Sequence, residues 1–199
     1  ESMRADQILM AWYHRDTKLL RDFLISLGNA APNAKVVYLE GNHEQRFQRI
    51  MAKYPGPFPP GTFDLLRDAK PEGMEIKWIP YGNYDSFYKL GDTIFTHGTI
   101  YPDTHAKQYA TNYAPHKVVY GHLHDYQTWT IRSAMADVKS ARYAMTAGCL
   151  THRLPDYKKG APNKWVNGFV SFLFDGEVCT PTAHVIEAGR FAVGPKVYG

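Results

Sequence analysis

The chain has 199 residues, of which 44% are hydrophobic and 14% are aromatic, so it can bury one sizeable core and is not a disordered protein. Its formal net charge of +4 is compatible with a phosphate-bearing substrate but is too small to indicate one. No apolar run approaches the roughly 20 residues that a membrane-spanning helix needs. The two cysteines, Cys149 and Cys179, favour reduced thiols and a cytoplasmic location over a disulfide.

Helices and strands alternate in the N-terminal part of the sequence. A helix is predicted over residues 16–27, ending at Gly28-Asn29, with its apolar side chains on one inward face: Leu19, Leu20, Phe23, Leu24 and Leu27. A strand over 35–39 follows, and then a helix over 44–53 with Phe47, Ile50 and Met51 turned inward. The proline-rich segment 55–61 is predicted to be a surface loop.

Short strands dominate the remainder. They are predicted at 76–79, 86–90, 93–96, 117–120, 143–147, 168–174 and 178–186, with one helix at 104–111. Gly91-Asp92 and Asp175-Gly176 are predicted hairpin turns. These elements favour a single α/β domain over 1–199, with β-sheets packed together and helices outside.

Three polar motifs follow the ends of predicted strands. They read GNHE at 41–44, THG at 96–98 and GHLH at 121–124. Ligands bind at the carboxyl ends of strands in α/β proteins, and residues i and i+2 in GHLH can face one pocket together. Neutral imidazoles and an amide oxygen suit a transition metal such as Mn, Fe, Ni or Zn. A capped or core histidine explains any one motif alone, but not three strand-end motifs together.

In this order, the motifs resemble those of the calcineurin-like metallophosphoesterase superfamily. The similarity to its phage and bacterial members continues into AGCL at 147–150 and into 165–169. The resemblance implies a β-sandwich flanked by helices, with two divalent metal ions between the strand-end loops. It also implies hydrolysis of phosphate mono- or diesters, with DNA as one possible substrate and no membrane partner.

The resemblance also implies a role for each motif residue. Asn42, His97 and His122 would bind one metal ion, and His124 would bind the other. His43 would lie beside the two ions and donate a proton to the phosphate oxygen or the leaving group.

One part of the family pattern is missing. Members of the superfamily carry an Asp-x-His motif and then a Gly-Asp-x-x-Asp motif before GNHE, and neither precedes residue 41 here. The sequence therefore predicts that the N-terminal strands of the fold are absent and that this chain binds at most one metal ion. The alternative is a catalytically dead binding or structural module of the same fold.

Other residues support weaker predictions. Arg46 and Arg49 can face a substrate phosphate, although solvated or ion-paired arginines are the more favoured interpretation. Cys149 has no recognisable base partner, so a nucleophilic thiol is not expected. Four histidines are interpreted as structural: His14, His105, His116 and His184.

Overall fold

The computed structural model describes residues 5–82, 85–132, 141–151, 159, 163–176 and 178–199. Its internal contacts divide the chain into two compact units, Glu1–Ser86 and Phe87–Gly199. The single domain expected from the sequence stays a prediction.

The described residues of the first unit form three helices and two short strands. The two strands pair in parallel, with Val36 opposite Ile76 and Leu39 opposite Ile79. The rings of Tyr38 and Trp78, which are opposite each other in this register, stack with centroids 4.2 Å apart. The elements in chain order are α1 (Ala5–Ala30), β1 (Val36–Leu39), α2 (Asn42–Lys53), α3 (Leu65–Ala69) and β2 (Ile76–Ile79).

Helix α1 buries a different face from the predicted one. It continues through Gly28-Asn29 to Ala30, and Leu24 is its only member of the predicted face that is fully buried. Leu19 and Phe23 are 61% and 53% exposed, and Leu27 is exposed as well. The predicted inward face is therefore wrong for these three residues, because the helix instead packs through the face that carries Tyr13.

Tyr13 lies at the centre of the core of the first unit. Its ring contacts Phe47 and Phe63 edge-on, and its hydroxyl donates to Asp68 Oδ2 at 2.7 Å and accepts from the N–H of Asp64 at 2.9 Å. Burial, reinforced by the neighbouring Asp68 carboxylate, raises the pKa of Tyr13. The predicted inward residues of α2 are confirmed, since Phe47, Ile50 and Met51 all pack against this core.

The second unit is built on a five-stranded mixed sheet. Its strand order is β3-β4-β5-β7-β6, with β4, β5 and β7 parallel and the two outer strands antiparallel to their neighbours. The sheet elements are β3 (Phe87–Leu90), β4 (Thr93–Thr96), β5 (Lys117–Tyr120), β6 (Thr128–Ile131) and β7 (Arg142–Thr146). The other elements are α4 (His105–Asn112), β8 (Gly168–Asp175), β9 (Val178–Val185), β10 (Phe191–Val193) and β11 (Lys196–Tyr198).

Both faces of the central strand β5 are covered. On one face, Val118 and Tyr120 pack against Ala106, Tyr109 and Ala110 of α4. On the other face, Val119 packs with residues of the β8–β9 hairpin, including Val170, Phe172 and Ala183. All four residues of β5 are buried, as is typical of a parallel strand between two layers.

The α/β class predicted from the sequence is confirmed. The five-stranded mixed sheet is covered by a helix on one face and by a β-hairpin on the other. Both predicted hairpins are present, since β3 pairs with β4 and β8 pairs with β9 in antiparallel fashion.

Candidate metal-binding site

Two of the predicted motifs follow neighbouring parallel strands of the second unit. Strands β4 and β5 pair in register, with Thr96 opposite Tyr120, so the residues after them leave the sheet side by side. The N–H of Gly121 donates to the carbonyl of His97 at 3.0 Å. Gly98 has φ 100, and a Cβ there would lie 3.0 Å from the Tyr109 hydroxyl, so this position requires glycine. The strand ends thus deliver His97 and His122 to the same edge of the sheet.

The side chains of His97 and His122 meet. His97 Nε2 lies 2.9 Å from His122 Nδ1, and the rings are nearly perpendicular, with centroids 4.9 Å apart. Both residues are half-buried, and the Tyr101 ring packs edge-on against His122. A separation of 2.9 Å suits a hydrogen bond between the two rings. It equally suits two neighbouring ligands of one metal ion, which at bond lengths of about 2.05 Å would subtend an angle of about 90°.

His124 lies two residues further along a turning backbone. His122 and His124 have φ 75 and φ 63, a left-handed conformation that residues other than glycine adopt at an energetic cost. The ring of His124 packs edge-on against Trp165 at a centroid distance of 4.3 Å, and its carbonyl accepts from the N–H of Val166 at 2.7 Å. The structure therefore brings the GHLH motif into contact with the 165–169 segment of the resemblance.

The 147–150 segment joins the same cluster through its backbone. The N–H of Cys149 donates to the carbonyl of Val166 at 3.0 Å, and the N–H of Gly168 donates to the carbonyl of Cys149 at 2.9 Å. Burial raises the pKa of the Cys149 thiol, which agrees with the absence of a nucleophilic role in the prediction. Cys149 and Cys179 are both free cysteines.

The GNHE motif lies in the first unit, where it begins a regular helix. Asn42 and His43 are the first two residues of α2, with Asn42 half-buried and His43 exposed. The helix begins two residues earlier than predicted because Glu44 binds back to it: Glu44 Oε2 accepts from the N–H of Gly41 at 2.6 Å. Glu44 Oε1 accepts from the Tyr38 hydroxyl at 3.1 Å, and burial together with Glu44 raises the pKa of Tyr38.

Glu40, just before this motif, was missed by sequence reasoning. Its carboxylate is 9% exposed and accepts from Trp78 Nε1 at 2.9 Å and from the N–H of Tyr81 at 3.1 Å, so it joins the ends of β1 and β2. Glu40 and Glu44 also line a cavity of about 400 Å³ within the first unit. Glu44 lies three residues after Gly41, which is the spacing between a helix N-cap and the residue that bonds back to it. This spacing is the sequence signal that predicts the capping role of Glu44.

The two arginines of α2 are both exposed. Arg49 Nη2 donates to Gln45 Oε1 one turn earlier at 2.5 Å, which agrees with the interpretation that favoured a solvated or paired arginine. A substrate contact for Arg46 or Arg49 stays a prediction.

The described residues fit a metal ion only in part. His97 and His122 fit two adjacent ligand positions of one ion, but no three His, Cys, Asp or Glu side chains cluster as a metal site within the part of the chain that the structure describes. In the same described part, no helix is both long and apolar enough to cross a membrane.

Comparisons with known proteins add little. No family model matches the chain. No curated protein matches it either. Among solved structures, the chain is similar to a crystal structure of a double mutant of Vps29 from Entamoeba histolytica, with 16% identity, a TM-score of 0.40, and coverage of 69% of this chain and 73% of that one. A likeness of this size carries no argument about function.

Proposed function

We propose that this chain forms part of a metal-dependent centre that hydrolyses phosphate mono- or diesters. The observation that supports the proposal most is the approach of His97 Nε2 to His122 Nδ1, at 2.9 Å, from the ends of two neighbouring parallel strands. Two imidazole nitrogens that converge in this way offer adjacent ligands to an ion such as Mn, Fe, Ni or Zn. The ordered motifs of the sequence, which resemble those of calcineurin-like metallophosphoesterases, point to the same chemistry.

Each motif residue would then have its own role. His97 and His122 would bind one ion, and His124 would bind the second. For Asn42 and His43, the proposal keeps the roles that the resemblance implies, an amide ligand and a proton donor to the leaving oxygen. A pair of divalent ions polarises a phosphoryl group and lowers the pKa of bound water. Imidazole is the side chain that enzymes use most often as a general acid, and the side chain of His43 is exposed.

The proposal is tested by hydrolysis of p-nitrophenyl phosphate and bis-p-nitrophenyl phosphate with added Mn. The chain is assayed with any in-frame upstream segment restored, beside the variants His97→Ala and His122→Ala. We expect Mn-stimulated turnover that both variants lose. His116→Ala is the matched control, because it removes a half-buried histidine of the same unit from outside the strand-end motifs. No Mn-stimulated turnover of either ester, or equal turnover in all four proteins, would contradict the proposal.

A second candidate function is a binding module of the same fold without catalysis. The absence of a three-ligand metal cluster from the described residues favours it. This candidate predicts that the 199-residue chain contains no bound ion by metal analysis and turns over neither ester, even with its natural upstream sequence.

The substrate class is resolved by salt dependence. The mildly basic net charge of +4 leans towards a nucleic acid. Cleavage of DNA that falls steeply with added salt would identify a nuclease, since release of counterions from the phosphate backbone makes such binding salt-dependent. Salt-insensitive hydrolysis of nucleotides or phosphopeptides alone would identify a phosphatase.

A further inference from the structure

The segment 121–125, here called the histidine loop, has an unusual backbone conformation. Within it, His122 and His124 both have positive φ, which disfavours this backbone unless surrounding groups fix it. Three backbone hydrogen bonds support the loop: the N–H of Gly121 donates to the carbonyl of His97, that of Leu123 to Gly121, and that of Val166 to His124. Side chains of α4 add a further support.

His105, the first residue of α4, contacts both ends of the histidine loop. Its Nδ1 lies 2.5 Å from the hydroxyl of Tyr120, which immediately precedes the loop, and its Nε2 lies 2.9 Å from Oδ2 of Asp125, which ends it. His105 is 2% exposed, so solvent cannot replace these partners. No sequence pattern connects this residue with the GHLH motif.

The chemistry of the partners fixes the proton positions. A carboxylate only accepts, so in the neutral imidazole of His105 Nε2 carries the proton donated to Asp125, and Nδ1 accepts from the Tyr120 hydroxyl. The other carboxylate oxygen of Asp125, Oδ1, is buried and has no hydrogen-bond partner among the described residues, so the bond from His105 is the one that satisfies this group.

Tyr109, one helical turn after His105, holds the other strand-end loop. Its hydroxyl accepts from the N–H groups of Thr99 at 2.5 Å and Ile100 at 3.0 Å, just after His97. Its ring stacks on Tyr120 at a centroid distance of 3.8 Å. Residues four apart lie on the same face of a helix, so one face of α4 reaches both loops.

The start of α4 is itself fixed to the sheet. Gln127 Oε1 accepts from the N–H of Ala106 at 2.9 Å, and Gln127 Nε2 donates to the carbonyl of Asp103 at 2.8 Å. The backbone N–H of Gln127 donates to Thr146 Oγ1 of strand β7 at 2.8 Å. These bonds give His105 and Tyr109 a rigid base.

We propose that His105 and Tyr109 are positioning residues that hold the histidine loop and the loop after β4 together, and thereby set the separation of His97 and His122. What the two histidines then do rests on the proposed function, but the positioning does not. Groups behind metal-binding histidines commonly fix ring orientation and tautomer in this manner.

The test is heteronuclear NMR of the histidine rings in the chain without metal, using isotope-labelled histidine. In the His105→Asn variant the amide side chain is too short to reach Asp125, so the ring signals of His122 and His124 should shift. His105→Gln places an amide N–H near the position of Nε2 and should return the His124 signals towards those of the unsubstituted chain. Tyr109→Phe keeps the aromatic stack, loses one hydroxyl, and should shift the His97 signals.

His184→Asn is the matched control. His184 is also buried and bonded through both ring nitrogens, to Ser171 Oγ at 2.7 Å and to the carbonyl of Ala192 at 2.8 Å, but it lies on β9. The control should leave the His97, His122 and His124 signals unchanged. If circular dichroism shows that His105→Asn does not fold, Tyr109→Phe and Tyr120→Phe decide the question, since each loses only a hydroxyl.

Folded variants with unshifted His97, His122 and His124 signals would overturn the proposal, as would equal shifts in the control. Because the spectra need neither metal nor substrate, this result is independent of the proposed function. Shifted signals in a chain that hydrolyses no ester would support positioning and contradict hydrolysis. Unshifted signals in an active enzyme would support hydrolysis and contradict positioning.

Discussion

The two regions that carry the strand-end motifs present their polar residues by different means. In the first unit, Asn42 and His43 lie in the first turn of a regular helix that Glu44 secures by a single bond to the backbone. In the second unit, His122 and His124 lie on left-handed backbone that side chains of α4 support from behind. Strained backbone of this kind persists only where its surroundings hold it, and it is concentrated at functional sites. The GHLH segment is therefore the stronger structural indication of a site.

The largest effect that separates these regions is expected for His43→Ala. His43 is exposed on a helix, so its removal should change the free energy of unfolding by no more than about 0.5 kcal/mol. If it donates the proton to the leaving oxygen, the Mn-dependent turnover number should fall by roughly 10²–10⁴-fold. The measurements are steady-state hydrolysis of bis-p-nitrophenyl phosphate and thermal unfolding.

Gln48→Ala is the control for this prediction, because Gln48 is exposed on the same helix outside the motif. If the turnover of His43→Ala equals that of the control, His43 does not donate the proton to the leaving oxygen. A matching loss of stability would show that the motif supports the fold rather than the reaction.

A smaller effect should change sign between the two regions when glycine and alanine are compared. At His124, with φ 63, glycine should be more stable than alanine by about 0.5–1 kcal/mol, because only glycine adopts left-handed backbone without a steric cost. At His43, within α2, alanine should be more stable than glycine by about 0.5 kcal/mol because of its higher helix propensity.

Chemical denaturation of the four variants measures both differences, and each pair removes the same histidine. Alanine favoured at both positions would mean that the loop relaxes out of its left-handed conformation when the ring is lost. The left-handed backbone would then not be held by its surroundings, and the GHLH segment would indicate a site no more strongly than the GNHE segment does.

Local patterns were enough to predict much of the fold. Strands β2, β4 and β5 have the predicted bounds, and both hairpin turns are confirmed, because short runs of apolar and β-branched residues and the turn residues between them act over a few positions. The face of α1 could not be predicted in this way, since leucines occur on more than one side and packing against Tyr13 decides which side is buried. Strand β6 was missed because it is an exposed outer strand defined by its pairing with β7.

The candidate site, like the fold, could be predicted only in part from the sequence. The histidines that follow strand ends were predictable, because their place in the chain and their chemistry can be read directly. The support from His105 and Tyr109 was not, since it depends on how α4 packs across the sheet and brings residues 105 and 125 together. No sequence pattern indicates that Asp125, which follows the GHLH motif, bonds to a histidine 20 positions earlier.

Cadmium NMR shows whether His97 and His122 bind one metal ion, as we propose. Cadmium is added to the chain with isotope-labelled histidine, and scalar coupling between the metal and individual ring nitrogens is measured. We predict coupling to Nε2 of His97 and to Nδ1 of His122, the two atoms that lie 2.9 Å apart. Cadmium bound through other nitrogens, or no binding while these two rings keep their hydrogen bond, would contradict metal binding by His97 and His122.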